Sequence, residues 1–160
     1  IAAGDYLMLN GAYTNGAPGY ALTGWNGSTI GRGFSGTGRL SYSQPDAVDV
    51  DGVAKLPTAW SVMGGLHHQW TPTVFTKAWG GYASYSLPTE AQSATNYLTN
   101  TKYWMAGAQV GWNPVKGMLI AVEYQYYNAK NNLATANLDT GALIKSSDAH
   151  QARFRIRRDF

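Results

Sequence analysis

The chain has 160 residues, of which 13% are charged and 13% aromatic, and it carries a formal net charge of +3 and no cysteine. About a quarter of the residues in soluble domains are charged, so this composition suits an apolar solvent, and the lack of cysteine excludes a disulfide-stapled domain and thiolate metal sites. A helical membrane protein is also excluded, because the mean hydropathy is −0.27 and no apolar run approaches the roughly 20 residues of a membrane helix.

Six β-strands are predicted from the alternation of apolar and polar residues between turn signals. In chain order they cover residues 5–14, 59–70, 74–85, 102–112, 118–128 and 149–160. Each has roughly the 9 to 11 residues of a tilted membrane strand. Because a closed barrel is the other structure that satisfies its backbone in lipid, we predict an all-β, transmembrane antiparallel β-barrel.

The connections between these strands alternate in length. Residues 71–73 and 113–117 form tight turns, whereas residues 15–58, 86–101 and 129–148 are long. Outer-membrane barrels have short periplasmic turns and long external loops, which predicts that both ends of the chain lie on the periplasmic side. The glycine-rich residues 31–42, with Arg32 and Arg39, are compatible with a further short hairpin, and residues 139–141 with a turn that extends the last hairpin beyond the membrane.

Six strands are too few to close a membrane barrel, since the smallest have about eight. The chain starts at Ile1, without an initiator methionine or the regions of a signal peptide. We therefore expect residues 1–160 to be the C-terminal portion of a single barrel domain whose N-terminal strands are absent from this chain. Assembly of several copies into one barrel is the alternative source of the missing strands.

The spacing of tryptophans predicts which strand face meets lipid. Trp60 and Trp70 bracket one predicted strand at even separation, and Trp104 and Trp112 bracket another. Such a stretch spans on the order of 20 to 25 Å, the height of the apolar band between two aromatic girdles. The alternative, a β-sandwich core, would need more charge on its outer face than these strands carry. The predicted girdle residues are Trp60, Trp70, Trp104, Trp112, Tyr124 and Phe160.

The opposite face of the same strands is predicted to line a watery pore. Its predicted pore-lining residues are Lys77, Gln109, Glu123, Gln125, Arg153, Arg155 and Arg157. Arginines at successive positions of one face stand about 6.6 Å apart, too close to be neutralised by Glu123 alone, and their field would attract anions. In the alternative interpretation the arginines pair with acidic groups on a missing segment and confer no anion preference.

No pattern indicates catalysis, a cofactor or a metal site. His67 and His68 are adjacent, so they point to opposite faces of a strand and cannot chelate one ion together. The three aspartates within residues 46–51 do not follow the EF-hand spacing, and a solvated acidic loop is the simpler interpretation. Nucleic-acid binding is not expected, because the rings and cations of the last strand lie on opposite faces.

Five segments stand in a characteristic order along the chain: residues 4–9 (GDYLML), 70–72 (WTP), 112–114 (WNP), 122–124 (VEY) and 151–160 (QARFRIRRDF). This ordered series resembles the C-terminal part of alphaproteobacterial general porins. The resemblance covers most of the chain and is weakest in the loops. It implies a sixteen-stranded barrel in a Gram-negative outer membrane, a homotrimer, and passive diffusion of small hydrophilic solutes and ions through a water-filled channel.

The resemblance also implies partners and an assembly signal. The partners are outer-membrane lipid and lipopolysaccharide, and the barrel-assembly machinery, which reads a C-terminal signal formed here by Phe154, Ile156 and Phe160. Arg158 departs from this pattern, because it stands at a lipid-side position where an aromatic residue is commoner. The arginines of the last strand look like a porin arginine ladder, whose facing acidic constriction loop is expected upstream of Ile1.

A soluble or surface-exposed β-sandwich that binds carbohydrate is the competing function. Trp79, Tyr82 and Tyr85 would then form its sugar-stacking surface. The two hypotheses differ in solvent requirement, since a porin needs detergent and a binding module stays monodisperse in plain buffer.

Overall fold

The computed structural model describes residues 3–22, 25 and 38–159. Its elements in chain order are β1 (Tyr6–Asn15), α1 (Pro18–Leu22), β2 (Val48–Val50), β3 (Val53–Lys55), β4 (Thr58–Gln69), β5 (Val74–Ser86), a 3₁₀ turn (Thr89–Ala91), β6 (Thr101–Trp112), β7 (Met118–Ala136) and β8 (Leu143–Arg158). The six long strands form one antiparallel sheet in the order β1-β4-β5-β6-β7-β8. The predicted all-β antiparallel fold is therefore confirmed.

All six predicted strands occur, and the last two are longer than predicted. Strand β7 continues to Ala136 and β8 begins at Leu143, so the final hairpin extends well past residue 128. The turn between them includes Gly141, whose φ of +73° and N–H donated to the Asn137 carbonyl tighten the reversal. The pairing shifts register between Lys130 and Thr135, as a β-bulge does.

The two tight turns lie where the sequence predicts them. A short polar side chain stabilises the chain reversal in the first turn, and a glycine does so in the second. Thr71 Oγ1 accepts the N–H of Val74 at 3.0 Å, and the Trp70 N–H donates to the Val74 carbonyl at 3.0 Å. Gly117 has a φ of +75°, and a Cβ there would lie 2.7 Å from the Asp159 carbonyl oxygen. Both turns lie at the same end of the sheet.

A short hairpin occurs in the longest connection, but not where the glycine-rich segment suggests it. Strands β2 and β3 pair around Asp51 and Gly52, whose φ values are 53° and 79°. An Asp-Gly pair with positive φ is the turn that joins two antiparallel strands most tightly, so the sequence contained this signal. Residues 31–37 of the glycine-rich segment lie outside the described residues, and Leu40 makes only an isolated bridge to Asn137.

The strict alternation of the strands gives the sheet two different faces. One face carries Lys77 and the odd-numbered residues of β8, and we call it the cationic face. The other carries Trp60, Trp104 and Trp112, and we call it the tryptophan face. Because paired residues of antiparallel strands point to the same side, the register fixes this assignment across all six strands.

The core lies on the cationic face, near the long connections. Small residues and tyrosines from the strands pack there against α1 and Trp25. Within the described residues β1 and β8 each pair on one side only, so the sheet is not closed. None of the helices in the described part of the chain has the length and apolar character needed to span a bilayer.

Candidate functional site

The arginines of β8 form a row on the cationic face. Arg153, Arg155 and Arg157 are register partners of Glu123, Ala121 and Leu119 on β7, and all three arginines are exposed. Lys77 on β5 lies on the same face, opposite Gln109 of β6. The pairing of each strand with the next therefore brings together cations that are nearly 80 residues apart in the chain.

Carboxylates neutralise only part of this charge. Arg153 Nη1 lies 3.4 Å from Glu123 Oε1, and Arg157 Nη2 lies 3.2 Å from Asp159 Oδ2. Among the described residues, neither Lys77 nor Arg155 has a carboxylate oxygen within 4.0 Å. Four cationic side chains thus face two carboxylates, which leaves an excess of two positive charges on this part of the face.

The Glu123 carboxylate is held in place by its neighbours. Its side chain is only 12% exposed, and Gln109 Nε2 donates to its Oε2 at 3.1 Å while Arg153 approaches its Oε1. A carboxylate bound from two sides is fixed in orientation. Gln125 lies one step further along the same face and accepts the Tyr127 hydroxyl. The predicted polar residues therefore lie on one surface with the arginines.

Two aromatic rings lie flat on this surface because the facing strand has glycines. A Cβ on Gly107 would lie 2.6 Å from Trp79 Cε2, and a Cβ on Gly111 would lie 2.1 Å from Phe75 Cζ. No side chain could occupy these positions without displacing a ring. Phe75 and Trp79 were not among the residues predicted for this face, although both share the odd numbering of Lys77 within β5.

His67 joins the rings of β1 and β5. Its imidazole stacks on Tyr6 with a centroid distance of 4.6 Å and on Phe75 with one of 5.0 Å. His68 points to the tryptophan face instead, where its Nδ1 lies 2.9 Å from Asp5 Oδ1. The prediction that the two histidines face opposite ways is confirmed.

A cleft of about 520 Å³ opens over this polar surface. It is lined by side chains from five consecutive strands, from His67 on β4 to Arg157 on β8. The residues lining the cleft include His67, Phe75, Lys77, Trp79, Gln109, Glu123, Arg155 and Arg157.

The other half of the cationic face is covered by part of the long β1–β4 connection. We call α1, Trp25 and residues 38–45 the returning segment. Trp25 is 2% exposed, and its ring centroid lies 6.4 Å from that of Tyr103. Gly81 makes room for the indole, since a Cβ there would lie 3.0 Å from Trp25 Cζ2. The sequence predicts residues 15–58 only as a long external connection, and the docking of this segment on the sheet was not predicted.

Hydrogen bonds fix the returning segment to the strands. The Ser41 carbonyl accepts Asn131 Nδ2 at 3.0 Å and Thr135 Oγ1 at 2.6 Å. The Tyr85 hydroxyl donates to the Pro45 carbonyl at 3.1 Å. Polar groups that are buried and paired in this way specify one docking arrangement, because any displacement would leave them unpaired.

Further contacts lie at the edge of the returning segment. Arg39 Nε donates to Asp139 Oδ1 at 2.7 Å, in an ion pair with the turn between β7 and β8. Burial raises the pKa of Tyr42 to about 12. The ring of Tyr42 meets that of Tyr103 edge-on at 5.7 Å, so this hydroxyl stays neutral against the wall.

The tryptophan face carries an exposed apolar band. Trp60 and Trp104 lie toward its long-loop end, and Trp70 and Trp112 toward its short-turn end. The exposed apolar side chains between these ends include Leu66, Val110, Val122, Phe154 and Ile156. Aromatic rings contact each other in pairs at the long-loop end of the band. The ring centroids of Trp60 and Tyr82 are 5.4 Å apart, and those of Trp104 and Tyr126 are 4.7 Å apart.

Two of the predicted girdle residues, Tyr124 and Phe160, are not seen at an end of the apolar band. Tyr124 is the register partner of Ala108, which is midway between Trp104 and Trp112 on β6. Tyr124 therefore lies in the middle of the apolar band and not at one of its ends. Its hydroxyl there lies 2.6 Å from His150 Nδ1. Phe160 lies outside the described residues. Phe154 and Ile156, predicted with Phe160 as an assembly signal, are on the tryptophan face opposite Val122 and Ile120.

The competing sugar-stacking surface is not formed. Tyr82 lies on the tryptophan face, whereas Trp79 and Tyr85 lie on the cationic face. Tyr85 is 0% exposed beneath the returning segment, so the three rings cannot contact one ligand together. Within the described residues the acidic loop forms a turn, where Asp49 Oδ1 accepts the Gly52 N–H at 3.1 Å.

Comparison with known proteins identifies a family. A family model described as "Porin subfamily" matches residues 1–153. A search of curated proteins and a search of solved structures each found no match. The match covers nearly all of the chain and ends within β8, before Arg155 and Arg157. The chain belongs to the porin subfamily.

Proposed function

We propose that the intact protein forms a water-filled channel in a Gram-negative outer membrane, through which small hydrophilic solutes and ions diffuse passively. The chain's family supports a porin-type channel in general. The proposal of a water-filled channel in a membrane rests on one observation: the two faces of the same strands differ sharply in polarity. Exposed tryptophans and aliphatic residues cover one face, and Lys77, Arg155 and their polar neighbours cover the other.

This segregation suits a wall between lipid and water. Hydrocarbon cannot solvate arginine side chains, whereas a watery lumen solvates them at no such cost. We propose that closure of the sheet into a barrel places the cationic face inside. In the proposed barrel Lys77, Gln109, Glu123, Gln125, Arg153, Arg155 and Arg157 line the pore, and the tryptophans lie at headgroup depth.

The six strands would form the C-terminal part of a larger barrel. Strands β1 and β8 have unpaired edges within the described residues, and unpaired backbone groups cost several kcal/mol each in lipid. We propose that the N-terminal strands of the same domain pair with β1, and that the complete barrel has sixteen strands and assembles as a homotrimer. Several copies sharing one barrel is the alternative arrangement.

The returning segment would narrow the channel on its long-loop side. It occupies the half of the cationic face around Tyr85 and Tyr103 and leaves the half around Lys77 and Arg155 open. A solute would therefore pass along the open half, close to the excess positive charge. We propose that this wall favours anions, because a narrow channel with a low-dielectric surround strengthens the field of fixed charges.

Lipid contact and membrane insertion would use the tryptophan face. Its apolar band would meet outer-membrane lipid, and lipopolysaccharide would contact its long-loop end. Phe154, Ile156 and Phe160 would be the signal that the barrel-assembly machinery reads.

The anion preference can be tested by replacing Arg153, Arg155 and Arg157 together with glutamine in the intact protein. We expect the reversal potential across a planar bilayer in a salt gradient to shift toward cation selectivity, because three positive charges leave the pore wall. Arg158→Gln is the matched control, since Arg158 is on the same strand but on the tryptophan face. An unchanged reversal potential in the triple variant, or an equal shift in the control, would overturn the assignment.

A further inference from the structure

One tryptophan is half-buried on the cationic face, beside the open cleft. Trp79 of β5 lines this cleft, whereas Trp60, Trp104 and Trp112 lie on the tryptophan face. Trp25 is covered almost completely, with 2% of its surface exposed. The indole of Trp79 therefore keeps apolar surface in contact with water, and a ligand that covers this surface gains hydrophobic stabilisation.

Trp79 offers a ring that the protein itself does not cover. A Cβ on its register partner Gly107 would lie 2.6 Å from Cε2 of the indole, so the ring rests on bare backbone. No second aromatic ring contacts Trp79 within the part of the chain that the structure describes. Phe75, on the same face of β5, is only 7% exposed and is stacked against His67. Of these two rings, that of Trp79 is the one available for stacking.

A cation without a carboxylate partner lies next to this ring. Lys77 precedes Trp79 by two residues on β5 and points to the same side, about 6.6 Å away along the strand. Its Nζ lies 5.4 Å from the ring centroid of Phe75, and among the described residues no carboxylate oxygen lies within 4.0 Å of it. Glu123 lines the same cleft but is paired with Arg153. Lys77 can therefore bind an anion from solution.

The arrangement of the charges indicates a singly charged anionic group. Lys77 and Arg155, the two cations of the cleft that have no carboxylate partner among the described residues, lie on β5 and β8. These strands are three spacings apart, about 14 Å along the sheet. An anion beside the indole thus meets one ammonium group at close range. A carboxylate suits this site better than a phosphate, whose three acceptor oxygens call for several donors.

We propose that Trp79 and Lys77 form a binding site for planar aromatic carboxylates on the wall of the channel. The ring of the solute stacks on the indole of Trp79, and its carboxylate accepts a hydrogen bond from Lys77 Nζ. The cleft of about 520 Å³ has the size of a small-molecule site. The inference rests on the proposed function, because it names a class of solute for that channel. Strands β4 to β8, which line the cleft, all belong to this chain.

The test measures binding of naphthoate to the intact protein in detergent micelles by ligand-observed NMR titration, with protein-free micelles as the blank. We expect Trp79→Leu and Lys77→Gln each to weaken binding about 10-fold, because one removes the stacking surface and the other the charged donor. Trp112→Leu and Lys102→Gln are the matched controls, since they remove the same types of side chain from exposed positions of the tryptophan face. Both controls should bind naphthoate like the unmodified protein. Heat-modifiable migration on a gel verifies that each variant is folded.

Two analogues of the ligand separate stacking from charge. Decalin carboxylate has the same charge as naphthoate but no planar ring, and naphthamide keeps the ring but has no charge. We expect each analogue to bind the unmodified protein about 10-fold more weakly than naphthoate does.

The proposal would be overturned by undiminished binding in Trp79→Leu or Lys77→Gln, by an equal loss in the matched controls, or by an analogue that binds as tightly as naphthoate. Channel formation is measured separately, in planar bilayers with the unmodified protein. A folded protein that binds naphthoate without conducting would refute the channel and leave the site standing. A protein that conducts without binding naphthoate would refute the site and leave the channel standing.

Discussion

The two halves of the cationic face differ more than their sequences suggest. Toward the long connections Tyr85 and Tyr103 are 0% exposed, beneath the returning segment. Toward the short turns Lys77 and Arg155 of the same face line an open cleft. Strand alternation puts both sets of side chains on one side of the sheet. The returning segment buries the half near the long connections and leaves the half near the short turns exposed to solvent.

This contrast shows why parity alone does not define a pore wall. A tyrosine and an arginine with the same numbering parity have the same direction, yet one is core and the other faces solvent. The decisive partner of Tyr103 is Trp25, which is 78 positions away in the chain. A residue is pore-lining only where nothing from a distant segment covers it.

The largest expected effect comes from removing the indole that covers the dry half. Trp25→Ala deletes a side chain that is 2% exposed, and truncation of a buried tryptophan costs about 3–5 kcal/mol. Because that energy holds the returning segment on the wall, we expect larger and noisier single-channel conductance. Tyr20→Ala is the control, since Tyr20 belongs to α1 but is 85% exposed. Equal conductance of the two variants would show that the segment does not narrow the pore.

A somewhat smaller effect tests whether the cationic face is the watery one. Ala108 lies on the tryptophan face opposite Tyr124, in the middle of the apolar band, and the adjacent Gln109 lies on the cationic face. An arginine at the bilayer midplane costs about 2–4 kcal/mol. We therefore expect Ala108→Arg to lower the yield of folded, heat-modifiable barrel on gels, and Gln109→Arg to leave it unchanged. The opposite ranking would reverse the assignment of the two faces.

The smallest expected effect tests whether buried hydrogen bonds hold the returning segment on the covered half of the cationic face. Asn131 is 1% exposed, and it donates to the Ser41 carbonyl and accepts the Thr101 hydroxyl. Loss of these bonds in Asn131→Ala leaves buried polar groups unpaired, at a cost of about 1–3 kcal/mol. We expect faster proteolysis within residues 38–45, detected by mass spectrometry of the fragments. Asn128→Ala, on the tryptophan face, should be cleaved at the rate of the unmodified protein.

Much of the fold was readable from local signals. The alternation in residues 149–157 correctly predicted a strand and its two faces. The turn residues after Trp70 and Trp112 correctly predicted two tight turns. Each of these features depends on neighbours within a few positions. The Asp51-Gly52 turn is an equally local signal, which the sequence-based prediction did not include. The extension of β7 to Ala136 was harder to predict, since its polar residues pair with β8 and with the returning segment.

The sequence by itself determined the family, the antiparallel strands and the placement of Arg153, Arg155 and Arg157 on the face opposite Trp60, Trp104 and Trp112, because a period of two follows from the geometry of an extended backbone. Tertiary structure alone decided which cations have carboxylate partners, where rings lie over Gly107 and Gly111, and which half of the cationic face is covered. Those features depend on contacts between segments that are far apart in the chain. No local pattern encodes them, since they arise only when distant strands pair and the connection between the first two strands of the sheet folds back upon it.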